Sequence, residues 1–224
     1  TSTLAPTGIG CDGLLIAQCA EALGFSGASD LSAVSFFTND FETTTQGVDL
    51  VGTYITDWGN AGITNWSLAW NWTDTQVDDA GEEVVRNRVV DLENFNPEHR
   101  VVFTANHMIG DFRFLFRMNW YDDWTVGDYS GDPTYDGNTT YTIDCEQDDC
   151  YKGEFIFDIE AAYTFNERYT VVVGGQNIFD EGGADDVNNT APAGFSNNSG
   201  QQYAQSTPWG INGGFWYLRF RADF

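Results

Sequence analysis

From Asp111 to Tyr121 the chain alternates without a break. Phe112, Phe114, Phe116, Met118 and Trp120 fall on one side, and Arg113, Leu115, Arg117, Asn119 and Tyr121 on the other. A β-strand sends successive side chains to opposite faces, so this segment reads as a strand with one oily and one wet face. The pattern recurs. Trp66, Leu68, Trp70 and Trp72 oppose Asn65, Ser67, Ala69, Asn71 and Thr73. Phe155, Phe157, Ile159, Ala161, Tyr163 and Phe165 oppose Glu154, Asp158 and Glu160. Trp216, Leu218, Phe220, Ala222 and Phe224 oppose Tyr217, Arg219, Arg221 and Asp223. Where a run carries charges, they fall on the second set alone.

A soluble β-sandwich also alternates, but its apolar faces meet in a core about 10 Å thick and its strands usually have about five or six residues. These runs are longer and aromatic. They suit the roughly 9 to 11 residues with which a tilted strand crosses hydrocarbon, with aromatic girdles at both interfaces and a polar lumen. Helical insertion is excluded, because no apolar stretch approaches the roughly 18 residues it needs. The fold class expected is therefore all-β, a transmembrane antiparallel β-barrel.

Composition narrows the function. With 224 residues, 42% of them apolar, the chain is not disordered despite a formal charge of -25. Its pI near 4.1 and nine Lys and Arg exclude nucleic acid as a partner. The acids read either as a solvated exterior or as long loops facing a cation-rich outer surface. The first residues lack a basic start, an apolar run and a cleavage site, so the N-terminus is expected to be processed or to lie partway through something longer.

Four cysteines and no CxxC pair fit an oxidising compartment better than a metal site. Cys145 and Cys150 flank a short polar loop that closes easily. Cys11 and Cys19 would be about 12 Å apart along a continuous helix, beyond disulfide reach. Their bridge requires the helix to start after Cys11. Asp12 could cap such a helix, which would carry Leu14, Leu15, Cys19 and Leu23 and stop at Gly24.

Connections alternate in length. Those at 58–60, 109–111 and 166–167 are short, whereas 78–98, 126–153 and 179–213 are long and rich in Asp, Asn and Gly. Outer-membrane barrels have short periplasmic turns and long extracellular loops, so this order fixes direction. Counting back from the end, strands are expected at 214–224, 168–178, 154–166, 111–125, 99–109, 62–77 and 33–57, with 1–31 an extracellular loop bearing one short helix. An odd set of about seven leaves open edges, so 32–224 is expected to be a C-terminal piece of a barrel.

Four segments resemble the barrel signatures of TonB-dependent receptors. They are Val34–Asn39 followed by Thr45–Leu50, then Asn96–Arg100, then Gly174–Glu181, and the close from Pro208-Trp209-Gly210 to Phe224. The resemblance implies about the last seven strands of a 22-stranded, plugged barrel in the Gram-negative cell outer membrane. It implies active uptake of a nutrient: a siderophore, cobalamin, an oligosaccharide or a peptide. The acidic loops turn the choice toward the last two. Implied partners are the rest of the barrel and its plug domain, the TonB energy-coupling complex, lipid and lipopolysaccharide, and a surface lipoprotein. Phe224 resembles the signal read by barrel-assembly machinery.

Catalysis finds no support. His99 and His107 have no nucleophile or second base at a motif spacing, and read as structural. Glu154, Asp158 and Glu160 are expected to pair with Arg113 and Arg117 on the neighbouring strand rather than to form a carboxylate dyad. No cofactor is expected. Asp128, Asp132, Asp136, Asp144, Asp148 and Asp149 crowd one loop, a candidate structural Ca²⁺ site set against a solvated acidic loop without EF-hand spacing. Ligand contacts would come from the loop aromatics Tyr129, Tyr135, Tyr141, Phe195, Tyr203 and Trp209. Two rival functions remain: a passive porin or adhesin barrel built from several chains, and a secreted glycan-binding β-protein.

Overall fold

The computed structural model of the chain describes residues 16–22, 24, 41–80, 84–127, 143–145, 148–182 and 206–223. The chain divides into two compact units, Thr1–Asn39 and Asp40–Phe224. In the first, helix α1 (Ile16–Ala22) stops just before Gly24, whose φ of +91° is a left-handed conformation that side chains disfavour. Residue 12, the expected cap, lies outside the described residues.

The second unit is built on a seven-stranded antiparallel sheet in the order β1-β2-β3-β4-β7-β8-β9. Its strands are β1 (Phe41–Asp57), β2 (Ile63–Ala80), β3 (His99–Ile109), β4 (Phe112–Tyr121), β7 (Glu154–Phe165), β8 (Tyr169–Gln176) and β9 (Phe215–Ala222). Between β4 and β7 a two-stranded hairpin is formed by β5 (Trp124–Val126) and β6 (Asp149–Tyr151). All seven expected strands of the main sheet are present. Of the expected first strand, 33–40 lie outside the described residues.

The short connections are tight turns. Asn166 and Glu167 both have positive φ, 52° and 57°, in a tight turn closed by the Arg168 amide donating to Phe165 O at 3.3 Å. Between β3 and β4 the chain reverses at Gly110, φ +55°. These turns fix the register, and a slip of one residue would turn every oily side chain to the other face.

Register places Leu68 opposite Phe103, Phe103 opposite Met118 and Met118 opposite Phe157, so the oily residues of successive strands share one face. Trp66, Phe103, Phe116 and Phe157 form a continuous aromatic belt across four strands, with ring centroids 5.9, 6.4 and 6.0 Å apart. Yet this face is the exposed one. Phe112, Phe114 and Phe116 are exposed, and Leu218 is 74% accessible, whereas Arg113, Leu115 and Arg117 between them are only partly accessible. Asn119, Ile156, Ala162 and Val172 on the polar side are buried.

Three features depart from the sequence expectation. The run expected as one strand over 111–125 breaks at Asp122 and Asp123. There the Asp122 amide donates to His99 O at 3.0 Å and Asp123 Oδ1 accepts from the Gly153 amide at 2.7 Å, so the chain leaves the sheet and re-enters as β5. The long connection 78–98 is shortened by the extension of β2 to Ala80. The same connection also carries a second helix, α2 (Arg86–Asn94). No side chain caps α2 at Val85; it is held by Val89 and Val90, both buried, with Val89 packed in a cluster with Val84 and Ala80. That is tertiary packing, which leaves little trace in a nine-residue segment.

Candidate functional site

Two constellations carry polar chemistry: the sheltered face of the sheet and a cap at its long-loop end. On the polar face Glu160 of β7 is the hub. It forms ion pairs with Arg113 of β4 and with Arg219 of β9, the latter at 2.7 Å, and accepts from the Tyr217 hydroxyl at 2.6 Å. The bonds to Tyr217 and Arg219 cross β8. Register puts Gly174 between Glu160 and Tyr217, and a Cβ on Gly174 would collide with the Tyr217 ring. The glycine opens the passage through which three strands are tied.

The expected pairing is therefore half met. Arg113 does pair with a β7 carboxylate. Asp158, directly opposite Arg117, instead accepts the Asn177 amide at 3.0 Å through Oδ1, and no ion pair joins it to Arg117 among the described residues. The partner that the sequence did not suggest is Arg219, which lies two strands away from Glu160 and 59 residues on in the chain. A cleft of about 600 Å³ at the short-turn end of this face is lined by Arg113, Arg219, Arg221, Asp111 and Glu167.

At the other end of β8, Asn177 is buried and closes a turn upon itself. Its side-chain amide donates to Glu181 O at 2.7 Å while its Oδ1 accepts the Glu181 amide at 2.9 Å. Asn177 and Asp180 take φ of 46° and 62°, and Asp180 Oδ1 accepts from Gly214 at 2.7 Å at the entry to β9. The Asn-Ile-Phe-Asp-Glu segment is thus a structural clasp: Asn tolerates the left-handed backbone, and both short acid and amide side chains replace missing backbone partners.

The cap unites three long connections. Trp124 of β5 is fully buried, stacks on Tyr151 of β6 at 4.9 Å and meets Trp209 edge-on at 5.5 Å. Trp209 also lies 5.4 Å from the Tyr121 ring and donates from its indole nitrogen to Glu181 O at 3.0 Å. Arg86 of α2 forms a two-pronged pair with buried Asp148, at 2.9 and 2.6 Å. The Asp144 amide donates to the same carboxylate at 3.0 Å, and Gly127 N donates to Asp91 Oδ1 at 2.9 Å. Cys145 and Cys150 form the expected disulfide.

The other sequence candidates divide as follows. Trp209 is an anchor of the cap, with its ring and its N–H both engaged. Tyr129, Tyr135, Tyr141, Phe195, Tyr203, Phe224 and Cys11 lie outside the described residues; Cys19 is buried and disulfide-bonded. Asp128, Asp132 and Asp136 also lie outside them, while Asp148 pairs with Arg86 and accepts from the Asp144 amide. Among the described residues no group of three or more His, Cys, Asp or Glu is placed to hold a metal ion. His99 stacks on Trp70 at 5.7 Å, and His107 Nδ1 lies 2.8 Å from Thr64 Oγ1.

An exposed apolar face, a sheltered ion-paired face, tight turns at one end and built loops at the other are the marks of a membrane β-barrel wall. No helix among the described residues is long and apolar enough to cross a membrane, which leaves crossing to the strands. No curated protein matches the chain. The model of the TonB dependent receptor-like β-barrel matches residues 3–178, from the first unit through six of the seven main strands to the Asn177 clasp. The chain belongs to the TonB-dependent receptor β-barrel family.

Proposed function

We propose that the chain forms a stretch of wall, with its extracellular cap, in an outer-membrane receptor that takes up a nutrient actively. The observation that carries this reading is the inverted burial of β4, with Phe112, Phe114 and Phe116 open and Arg113 and Arg117 sheltered. Such a wall is stable only where lipid covers the oily side. Further strands would pair with the outer edges of β1 and β9 to close a larger barrel, about 22 strands in all, around a plug. The chain would perform no catalysis and hold no resident cofactor. A structural Ca²⁺ would draw its ligands from Asp128, Asp132, Asp136 and Asp144 of the acidic loop.

An uncharged or weakly charged oligosaccharide or peptide fits best, since a chain of formal charge -25 repels anions. A siderophore or cobalamin is the less favoured cargo. Energy coupling through the TonB complex separates this reading from a passive pore. Cells carrying the receptor should accumulate a labelled oligosaccharide or peptide, and a protonophore should abolish the accumulation. Uptake that persists after the proton gradient collapses would instead establish a passive channel.

A further inference from the structure

A small polar network sits on the oily side of the sheet, close to the short turns. His107 of β3 pairs in register with Thr64 of β2 on one side and Phe114 of β4 on the other, so it belongs to the apolar face. Trp58, at the turn between β1 and β2, donates from Nε1 to Thr64 Oγ1 at 2.8 Å, and Thr64 Oγ1 lies 2.8 Å from His107 Nδ1. Thr64 is 4% exposed.

The network assigns its own protons. Trp58 Nε1 can only donate, so Thr64 Oγ1 accepts there. The Thr64 hydroxyl proton then needs an acceptor of its own, and the one acceptor within reach among the described residues is His107 Nδ1. His107 Nδ1 is thus the acceptor, and the ring proton sits on Nε2. Nε2 is not among the enclosed polar atoms, and no described residue accepts from it.

Depth gives the partner. His107 lies two residues inside Ile109, the last residue of β3, which pairs with Phe112. Trp58, 53% exposed, and the Phe112–Tyr163 ring pair, 4.6 Å between centroids, flank this level. Aromatic rings of this kind mark the membrane interface, where lipid ester and phosphate oxygens accept hydrogen bonds and hydrocarbon offers none. A bare N–H at this depth calls for such an acceptor.

We infer that Trp58, Thr64 and His107 form a lipid-binding site, in which His107 Nε2–H donates to an ester or phosphate oxygen of a glycerophospholipid in the leaflet on the short-turn side. The inference rests on the reading that this face meets lipid. Its test is solid-state NMR of the intact receptor, with ring-¹⁵N histidine, in phosphatidylethanolamine and phosphatidylglycerol bilayers. The expected result is an unprotonated Nδ1, a protonated Nε2, and a cross-peak from Nε2–H to lipid phosphorus or ester carbonyl. His107→Gln identifies the signal by removing it. Thr64→Val, which removes the hydrogen bond to Nδ1, should shift the Nδ1 resonance while Nε2 keeps its proton.

A proton on Nδ1, an Nε2–H without any lipid cross-peak, or an Nδ1 resonance that Thr64→Val leaves unchanged would each overturn the site. Contacts from the Phe114 and Phe116 rings to acyl chains separate the two claims. If those contacts persist while His107 shows none, the site fails and the membrane wall stands. If they are missing as well, the wall itself is wrong.

Discussion

The wall and the cap of the second unit follow opposite rules. In the wall strand β4, Phe112, Phe114 and Phe116 are exposed while Arg113 and Arg117 between and beside them are half-buried; in the cap, Trp124, Val89 and Val90 are buried as in any water-soluble core. The boundary is visible along one strand. On the apolar side of β2 the series Trp66, Leu68, Trp70, Trp72 gives way to Asp74 and Gln76, and Asp74 accepts from Gln46 of β1 at 3.1 Å. From Asp74 onward the β1–β2 hairpin obeys the rules of water. On β4 the oily series runs from Phe112 to Trp120, about 26 Å along the strand at roughly 3.3 Å per residue. Tilted, that length suits the hydrocarbon layer.

The contrast can be broken from either side. The largest effect belongs to the cap: Trp124→Ala should cost about 3 to 5 kcal/mol of local stability, as for a fully buried aromatic. Rapid proteolysis and hydrogen exchange should appear over β5 and β6 while the wall strands keep their protection. If the wall loosened equally, the two regions would be one cooperative unit.

Next comes the wall. Phe116→Arg should cost about 2 to 4 kcal/mol in reversible unfolding from lipid vesicles, whereas Ser67→Arg, on the opposite face, should cost less than about 1 kcal/mol. Equal costs would erase the distinction between the faces.

Gly174→Val tests the tie across β8. Forcing a side chain into the Tyr217 ring should destabilise the sheet by about 1 to 3 kcal/mol. The double variant Gly174→Val with Tyr217→Ala should recover part of that loss, and strict additivity in the cycle would refute the contact. The smallest effect is expected from the disulfide. Reducing Cys145–Cys150, which closes a short loop, should remove at most about 2 kcal/mol and raise protease sensitivity between residues 143 and 151 alone.

The wall was legible in the sequence and the cap was not, and the reason is physical. Strands in lipid must present an unbroken series such as Phe112, Phe114, Phe116, and a period of two survives in sequence wherever one face meets a single solvent. The cap depends instead on pairings between distant connections. Asp148 reads as one more loop acid until Arg86, 62 residues away, closes on it. The ring contacts of Trp209 with Trp124 and Tyr121 likewise join residues 85 and 88 positions apart, beyond any local pattern. Arg219 was visible as an inward residue, but its bond to Glu160 reaches across β8 to a strand that is not its neighbour, a pairing that no local pattern carries. The break at Asp122 shows the same limit: Trp124 keeps the parity of the lipid-facing series, yet hydrogen bonds at Asp122 and Asp123 carry it into the cap core.

The most direct measurement is a spin-label scan of introduced cysteines from Phe112 to Tyr121 in the receptor reconstituted in bilayers. Relaxation by oxygen, which concentrates in hydrocarbon, should rise at 112, 114, 116, 118 and 120 and fall at the residues between them. A flat profile, or one with the opposite phase, would contradict the assignment of the oily face to lipid and with it the reading of this chain as a membrane wall.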